Sequence, residues 1–288
     1  MLARRSLLVL AGGAFLSACG ARTTAAGPVK VCYAASLTAL METHLGPAFS
    51  RATGYRYDGY AAGSTQLAHE LADGLRKADV FISASPQAEA LLLAPGVAHG
   101  GIAWYAQFAH SPLVVGYNPK SRFAAALKAG PWYAAVLRPG FRLGRTDPRL
   151  DPKGALVEQL AAAQGRAAGD TTLATRLLTA GVVFPEQDLV GRLQAGQLDG
   201  AFFYQSEAVT VGVPFLTPDA AVDPSAQYTL ALPRGGSNPA GGLAFSRYLL
   251  GPAGLGLLRA GGLLVQTATI HGDATGIPAA LRTALRGG

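Results

Sequence analysis

The chain has 288 residues, of which 50% are hydrophobic and 14% are charged, which excludes a disordered polar chain and allows a substantial core. Its length suits two lobes of about 100–150 residues each. The net charge is +7, but the basic residues are scattered and form no cluster interleaved with aromatic residues, so nucleic-acid binding is not expected.

The first 18 residues predict a signal peptide. Arg4 and Arg5 precede the apolar run LLVLAGGAFL, which has the length of a signal-peptide core and is too short to span a bilayer. The segment ends in LSAC, which resembles the bacterial lipoprotein cleavage box, where the cysteine becomes the lipidated first residue of the mature protein. We therefore predict lipidation of Cys19, a tether at residues 19–28, and an exported protein anchored on the periplasmic or cell-surface side of a membrane. A simple secretory signal with an incidental cysteine is the alternative.

Besides Cys19, the sequence contains a single further cysteine, Cys32. Cys32 lies within an apolar run, so a buried core thiol is expected. One remaining thiol cannot form an internal disulfide, and no cysteine and histidine have the spacing of a metal site. The sequence therefore predicts neither a disulfide nor a metal cofactor.

Strand and helix patterns alternate at the start of the mature chain. Strands are predicted at residues 29–33, 55–60 and 78–83, and helices at residues 38–53, 66–77 and 85–93. Pro47 should bend or divide the first helix, and Ser85 followed by Pro86 is typical of a helix start. This order of elements predicts a parallel sheet flanked by helices.

A second set of elements follows in the same style. Strands are predicted at residues 113–117, 141–144, 201–204 and 228–232, and helices at residues 121–128, 155–164, 189–195 and 242–259. The chain is therefore expected to form two α/β units. Open α/β sheets bind ligands at the carboxyl ends of their strands, and every loop of interest in this sequence follows a strand.

Two serines stand between a strand and a helix at equivalent positions of successive units. Ser36 follows the first predicted strand, and Ser64 follows the second, next to Gly63. Each serine alone is most simply a helix cap. Together they indicate an anion site, because unpaired N–H groups at a helix start bind anions and glycine allows a close approach of the backbone. Ser36 is expected both to cap its helix and to form half of an oxyanion clamp.

Three later stretches also end strands or begin helices. TDPRLDPKG (146–154) has two Asp-Pro turns, and its simplest interpretation is an Asp-capped loop before a helix. FPEQDLVGRL (184–193) indicates another helix start, with Asp188 or Pro185 near its first turn. Tyr204 ends a strand and is followed by Glu207; a buried tyrosine with a satisfied hydroxyl is the alternative to a ligand contact.

Catalytic motifs are missing from the sequence. It contains no G-x-S-x-G elbow, no P-loop and no H-E-x-x-H motif. The five histidines are dispersed, and nothing pairs Ser36 or Ser64 with a base. An enzyme is therefore not expected, although a lipid-anchored enzyme stays as the alternative of a different class.

Four segments along nearly the whole mature chain resemble the substrate-binding proteins of molybdate/tungstate ABC importers. YAASLTALMETHLGPAFSRATGY is similar to that family's opening strand, AASL turn and helix. AAGSTQLAHELADGLRKADVFISAS is similar to its glycine-serine anion loop and the strand that follows. GRTDPRLDPKG is similar to its Asp-Pro loop, and LVGRLQAGQLDGAFFYQSEAV to its late helix-strand-Tyr segment. Four such segments in the right order make the resemblance specific.

The resemblance implies the fold of a type II periplasmic binding protein, with two α/β lobes, a ligand cleft between them and two chain crossovers. Lobe one is then expected to contain residues 29–110 and the C-terminal part, residues 223–288. Lobe two is expected at residues 111–222.

The resemblance also implies the residues that bind the oxyanion. Ser36 and Ser64 match serines that donate hydrogen bonds, Tyr204 matches a phenol donor, and Leu189 matches a backbone donor at a helix start. Asp151 lies in the Asp-Pro loop and joins this set. The further candidates are Ala35, Gly63, Lys153, Asp188 and Glu207. Neutral dipoles of this kind bind a dianion when lobe closure excludes water.

Two departures from the family pattern concern this site. One branch of the family has a glutamate just before the late tyrosine, which expands the coordination of the bound atom, whereas this chain has Phe203. The usual cysteine of the Asp-Pro loop is Lys153 here. We therefore expect binding of a tetrahedral oxyanion, with Asp151 hydrogen-bonding nearby groups or capping its loop, and with Glu207 as a ligand only if it can reach.

The resemblance implies a receptor that needs no cofactor and no metal beyond the molybdenum or tungsten of its ligand. Its expected partners are a small oxyanion, the membrane permease of an ABC importer and the membrane that holds the lipid anchor, and the protein is expected to be a monomer. Another small oxyanion, such as sulfate or phosphate, is the alternative ligand; phosphate becomes possible if Asp151 faces the ligand and accepts its proton.

Overall fold

The structure, a computed structural model, describes residues 26–218 and 224–286. The predicted signal peptide, the lipidation site Cys19 and the tether up to residue 25 lie outside the described residues, as do residues 219–223. Residues 26–28 of the predicted tether belong to the first strand, which begins at Ala26. In the described part of the chain, no helix combines the length and the apolar character needed to cross a membrane.

In the described part of the chain, ten strands form one sheet. They are β1 (Ala26–Ala34), β2 (Tyr55–Ala62), β3 (Val80–Ser83), β4 (Trp104–Tyr117), β5 (Leu143–Arg145), β6 (Gly181–Val183), β7 (Gly200–Tyr204), β8 (Phe215–Leu216), β9 (Ser225–Ala231) and β10 (Leu264–Gly272). The short strand predicted at 113–117 is only the second part of β4, because the alternating residues 104–112 continue the same extended segment.

Helices connect and cover these strands. They are α1 (Thr38–Leu40), α2 (Gly46–Thr53), α3 (Ser64–Ala72), α4 (Pro86–Leu93), α5 (Ala124–Ala129), α6 (Trp132–Val136), α7 (Pro152–Ala168), α8 (Leu173–Ala180), α9 (Glu186–Gln194), α10 (Gln205–Val211), α11 (Pro239–Leu249), α12 (Pro252–Ala260) and α13 (Ala279–Arg286). Short 3₁₀ turns occupy Ala35–Leu37 and Ala274–Gly276, and a π-helical turn occupies Met41–Leu45.

The strands form a continuous sheet in the order β2-β1-β3-β9-β4-β7-β5-β6, with β10 and β8 also paired to β4. The pairs β1–β2 and β1–β3 are parallel, which confirms the parallel arrangement predicted for the first three strands. The pairs of β5 with β6 and β7 are parallel too. Strands β4 and β9 run antiparallel to their neighbours.

Strand β4 joins two α/β halves of the molecule. Its residues 104–112 pair with β9 and β10, whereas residues 113–117 pair with β7 and β8. The first half therefore combines β1, β2 and β3 with the late strands β9 and β10, and the second half is built on β5, β6 and β7. The loops after β1, β2, β5, β6 and β7 stand at carboxyl ends of parallel strands, where α/β folds bind ligands.

Capping residues explain where several helices begin. Ser85 accepts a hydrogen bond from the backbone N–H of Gln87 at 3.2 Å, and Pro86 is the first residue of α4, as predicted. Asp151 caps α7 in the same way: its Oδ1 accepts from the N–H of Lys153 at 2.8 Å. The prediction that Asp151 caps its loop is therefore confirmed, and α7 begins three residues before the predicted start.

Two prolines determine where helices are divided. Pro47 lies at the start of α2, directly after the π-helical turn Met41–Leu45, so it divides the first helix as expected. The single helix predicted at 242–259 is wrong. The chain forms α11 and α12 instead, because Pro252 after Gly251 cannot continue α11 and is favourable at the first position of a new helix.

Apolar side chains of the sheet and its covering helices form most of the core. Cys32 is buried beneath α3 and α4, and burial raises the pKa of its thiol to about 12. The prediction of a buried core thiol is confirmed.

Candidate functional site

Ser36 lies in the turn after β1 and does not cap a helix. The N-cap position belongs to Ala34, which makes no side-chain capping bond. The Ser36 side chain is buried and its Oγ lies 3.1 Å from the Oη of Tyr228 on β9. The prediction that Ser36 is a cap is therefore wrong, because Ser36 lies inside a tight 3₁₀ turn and not before a helix. Thr38 Oγ1 stabilises this turn by donating to the carbonyl of Ala35 at 2.7 Å.

Ser64 is the first residue of α3, and Gly63 is the N-cap. The hydroxyl of Ser64 makes no capping bond but accepts from the backbone N–H of Ala84 at 3.0 Å. Ser64 is buried as well. Both predicted serines thus present their hydroxyl groups at the carboxyl edge of the sheet for reasons other than helix capping.

Tyr204 ends β7 and is completely buried. Among the described residues its hydroxyl has no hydrogen-bond partner. Its ring meets that of Tyr228 edge-on, with centroids 6.2 Å apart, and burial together with the negative charge of Asp151 raises its pKa. The alternative of a tyrosine satisfied within the protein is therefore not supported, because a buried hydroxyl without a partner costs free energy unless something else binds it.

A fully buried lysine is the main charged group of this region. The Nζ of Lys153 lies 2.9 Å from Glu186 Oε1 and 2.8 Å from Glu207 Oε2. It also lies 5.0 Å from the centre of the Tyr204 ring. Burial alone would lower the pKa of Lys153, but the carboxylates of Glu186 and Glu207 outweigh burial and raise it. The lysine therefore stays charged and ties the starts of α7, α9 and α10 together.

Glu207 and Asp151 complete the charged cluster. Glu207 Oε2 also accepts from the N–H of Tyr204 at 3.4 Å, and burial raises the pKa of Glu207 to about 7 against the opposing charge of Lys153. Burial, followed by the charge of Glu186, raises the pKa of Asp151 well above its ordinary value. The second carboxyl oxygen of Asp151 has no hydrogen-bond partner in the described part of the chain.

Leu189 was predicted as a backbone donor at a helix start, but its helix starts earlier. Helix α9 begins at Glu186, so Leu189 is its fourth residue and its side chain belongs to the core. The first-turn amides that point out of the helix belong to Glu186 and Gln187. Asp188 does not face the cleft either: its side chain is 39% exposed and lies 3.4 Å from Arg192.

The first turn of α9 separates two cavities between the halves of the molecule. One, of about 280 Å³, is lined by Ala35 and Ser36 on one side and by Glu207 on the other. The second, of about 200 Å³, is lined by Gly63 opposite Asp151. Glu186 and Gln187 line both cavities. The cleft predicted between two lobes is thus present, and five of the ten predicted residues line its cavities: Ala35, Ser36, Gly63, Asp151 and Glu207.

Helix α3 reaches the Asp-Pro loop across this cleft. The N–H of Gln66 donates to the carbonyl of Leu150 at 3.1 Å. A methyl group on Gly63 would lie 2.6 Å from the same carbonyl oxygen, so only glycine permits this approach. The glycine beside Ser64 therefore serves contact between the two halves.

Two residues of the site were not among the predicted ones. Glu186 is the first residue of α9 and follows Pro185, which occupies the N-cap position. Thr146 follows β5 and is completely buried, and no described residue pairs with its hydroxyl. No local pattern distinguishes Thr146 from an ordinary loop residue, since its burial depends on packing between distant segments.

The arrangement offers hydroxyl groups, one lysine and three carboxyl groups to a small ligand. In addition to the neutral dipoles expected at the site, the Asp-Pro loop brings in Lys153, itself a predicted candidate, together with its counter-ions. In the part of the chain that the structure describes, no three His, Cys, Asp or Glu side chains are arranged to bind a metal ion. The chemistry on offer is hydrogen bonding and charge compensation.

Comparison with known proteins agrees with this architecture. A family described as bacterial extracellular solute-binding protein matches residues 29–264. Sequence similarity extends to a protein of Haloferax volcanii named "Putative ABC transporter molybdenum-binding protein", which is 34% identical over 75% of this chain and 68% of its own length. A molybdate/tungstate-binding protein of Thermococcus kodakarensis is 27% identical over 57% of this chain and 52% of its own.

Among solved structures, the periplasmic molybdate-binding protein of Azotobacter vinelandii has a similar fold. It superposes with a TM-score of 0.65 at 16% identity, over 83% of this chain and 99% of that one. At this identity the similarity concerns the fold alone, and it confirms the predicted fold class of a two-lobed periplasmic binding protein.

Proposed function

The chain belongs to the family of bacterial extracellular solute-binding proteins, and we propose that it is the receptor of an ABC importer and captures molybdate or tungstate in the cleft. The family consists of binding proteins and not of enzymes, which removes the alternative of a lipid-anchored enzyme. The names of the relatives from Haloferax volcanii and Thermococcus kodakarensis support the ligand, and the first also supports the importer.

The observation that carries the proposal is the group of buried polar atoms without partners. Tyr204 Oη, Thr146 Oγ1 and Asp151 Oδ2 are all buried without a hydrogen bond to any described residue. Such atoms are rare in folded proteins and costly unless a bound molecule pairs with them. Ser36 and Ser64 add two buried hydroxyls from the other half of the molecule. A small oxyanion has enough acceptor atoms to bind all of these hydroxyl donors at once.

Capture is proposed to proceed by closure of two lobes, residues 29–110 with 223–288 forming lobe one and residues 111–222 forming lobe two. The close approach of Gly63 to Leu150 supports contact between the lobes in the closed state. Lipidation of Cys19 would hold the monomeric receptor at the membrane beside its permease.

Calorimetry tests the proposed ligand. The purified protein, freed of bound ligand, is titrated with molybdate, tungstate, sulfate and phosphate. We expect tight binding of molybdate or tungstate and weak binding of sulfate, because the cavity would select by size. Ser36→Ala should weaken binding about 10- to 100-fold, since a hydrogen bond to a charged group contributes about 1.5–3 kcal/mol.

Ser246→Ala is the matched control. Ser246 is also a buried serine, but its hydroxyl donates within α11 to the carbonyl of Gly242, away from the cleft. This variant should bind as the unaltered protein does. Equal losses in both variants would contradict a role for Ser36, and no heat with any of the four anions in folded protein would contradict the proposed function.

Phosphate is the second candidate, and one atom favours it. Asp151 Oδ2 is buried and unpaired among the described residues, so an ionised Asp151 could accept the proton of hydrogen phosphate, which a site with donors only would leave unpaired. Tighter binding of phosphate than of molybdate in the same titrations would establish this alternative.

A further inference from the structure

The charge of the cleft conflicts with the charge of the proposed ligand. Asp151, Glu186 and Glu207 surround Lys153, and all four side chains are buried. If every group were ionised, three negative charges would face one positive charge. A dianion would add two more negative charges to a space largely closed to water, where unpaired charge is costly.

The geometry distinguishes Asp151 from the other two carboxyls. Glu186 and Glu207 each lie within 2.9 Å of Lys153 Nζ, so the lysine compensates their charges directly. Asp151 has no such contact: one oxygen accepts the N–H of Lys153, and the other has no partner among the described residues. Asp151 is therefore the carboxyl that gains most from a proton.

We propose that the buried carboxyl groups of Asp151 and Glu207 take up protons from solvent when the cleft captures an oxyanion, and that protonated Asp151 binds the anion as a neutral hydrogen-bond donor. This inference rests on the proposed function. It makes the carboxyls determinants of specificity, because a protonated carboxyl can donate to a fully ionised anion, whereas a carboxylate repels it.

The groups that face Asp151 from neighbouring elements all bear on this proton. Lys153 comes from α7, Glu186 from α9, Glu207 from α10 and Tyr204 from β7. The cavity beside Asp151 is also lined by Asp147, a charged group of the same loop that pairs with Arg149. From the other half, Gly63 and Gln66 line this cavity, and neither titrates. An incoming dianion adds to the negative charge already present and favours protonation further.

Burial already raises the pKa of two of these groups. The pKa of Asp151 is raised well above its ordinary value, chiefly by burial and then by Glu186. Burial raises the pKa of Glu207 to about 7. A group with a pKa near neutrality can take up a proton at little cost when an anion arrives.

The test measures protons directly. Molybdate is titrated into the purified protein at about pH 7 in several non-phosphate buffers that differ in heat of ionisation, and the affinity is measured between about pH 6 and about pH 8.5. We expect the heat to depend on the buffer, and the affinity to fall up to about tenfold per pH unit for each proton taken up.

Asp151→Asn separates this role from a structural one. Asparagine also caps helices well, and its amide donates at every pH. We expect the variant to lose most of its pH dependence and to bind molybdate more tightly than the unaltered protein at about pH 8.5, by about tenfold if one proton is involved. A purely structural role predicts weaker binding at every pH, and that outcome would overturn the proposal.

Glu89→Gln is the matched control, since Glu89 is equally buried but contacts Thr229 outside the cleft. It should leave the buffer dependence of the binding heat unchanged. Molybdate binding with no buffer dependence and no pH dependence would overturn this inference and leave the proposed function standing. Failure of molybdate, tungstate, sulfate and phosphate to bind at any of these pH values would overturn both.

Discussion

Among the regions of the molecule that bury carboxyl groups, the surroundings of Glu89 and those of Glu207 differ in whether a cation is present. Glu89 on α4 is completely buried; its Oε1 accepts from the hydroxyl of Thr229 at 2.9 Å, and no described residue pairs with its Oε2. Glu207 in the cleft is almost as buried, but it contacts Lys153 at 2.8 Å. The two carboxyls thus have similar burial and opposite electrostatic surroundings.

The pKa of Glu207, which contacts Lys153, differs less from the pKa of Glu89 than a simple ion pair would suggest. Burial raises the pKa of Glu89 to about 8, against a small opposing contribution from its hydrogen bond with Thr229. Burial raises the pKa of Glu207 to about 7 even though the charge of Lys153 lowers it, and the negative charge of Glu186 raises it further. Glu207 therefore has a pKa near neutrality, whereas the pKa of Glu89, which is buried without a cation, is higher.

Removing Lys153 should have the largest effect on stability, because the carboxyl groups of the cleft would then be buried without a cation, as Glu89 is. Lys153→Met keeps an apolar stem of similar length but leaves Glu186 and Glu207 without their cation. We expect the free energy of unfolding at about pH 7 to fall by about 3–5 kcal/mol, measured by urea unfolding. Part of the loss should be regained at about pH 5, where the native carboxyls take up protons. Equal losses at both pH values would show that carboxyl charge is not the cause.

Removing the isolated carboxyl should have a smaller effect of opposite sign. The native pKa of Glu89, about 8, lies above its ordinary value. Its stabilising contribution is therefore fully present below about pH 4.5 and is lost as the pH rises towards 8, because the unfolded chain ionises first. Glu89→Gln should flatten this decline and raise the free energy of unfolding by a few kcal/mol at about pH 8. A variant less stable than the unaltered protein at this pH would contradict a neutral Glu89.

Unpaired polar atoms offer a third test of the same contrast. Tyr204 Oη and Glu89 Oε2 are both buried without described partners, but only Tyr204 is proposed to contact ligand. Tyr204→Phe should leave the free energy of unfolding of the empty protein unchanged or slightly higher. It should weaken molybdate binding about 10- to 100-fold, the effect of one hydrogen bond to a charged group. Tyr105→Phe, on a tyrosine stacked against His271, is the control and should not alter binding.

Much of the fold follows from local sequence. The strands β1, β2 and β3 and the start of α4 were predictable because apolar periodicity, Ser85 and Pro86 act over a few residues. The first part of β4 was not, because Gln107, His110 and Ser111 interrupt its apolar residues and its length depends on pairing with β9 and β10. A local signal was also overlooked: Pro252 begins a new helix inside the single helix predicted at 242–259.

The site divides in the same way. Ser36, Ser64, Asp151 and Tyr204 were identifiable because each stands at the end of a strand or the start of a helix. The role of Lys153 was not, since a lysine after Asp-Pro is normally exposed and is buried here only because α9 and α10 bring two carboxylates to it. Counter-ions that are 33 and 54 residues away along the chain leave no trace in a local pattern.

The smallest expected effect concerns an exposed acid on α9. Asp188 was a candidate from sequence, but its side chain is 39% exposed and its partner is Arg192 at 3.4 Å on the same helix face. An exposed pair four residues apart contributes only about 0.3–0.5 kcal/mol, since water screens it. Asp188→Ala should therefore change the free energy of unfolding by no more than that and leave molybdate affinity within about twofold. A larger loss of affinity would mean that an acid can act on the ligand without being buried beside Lys153. The difference between solvent-screened and buried carboxyl groups would then not explain how the protein's charges affect ligand binding.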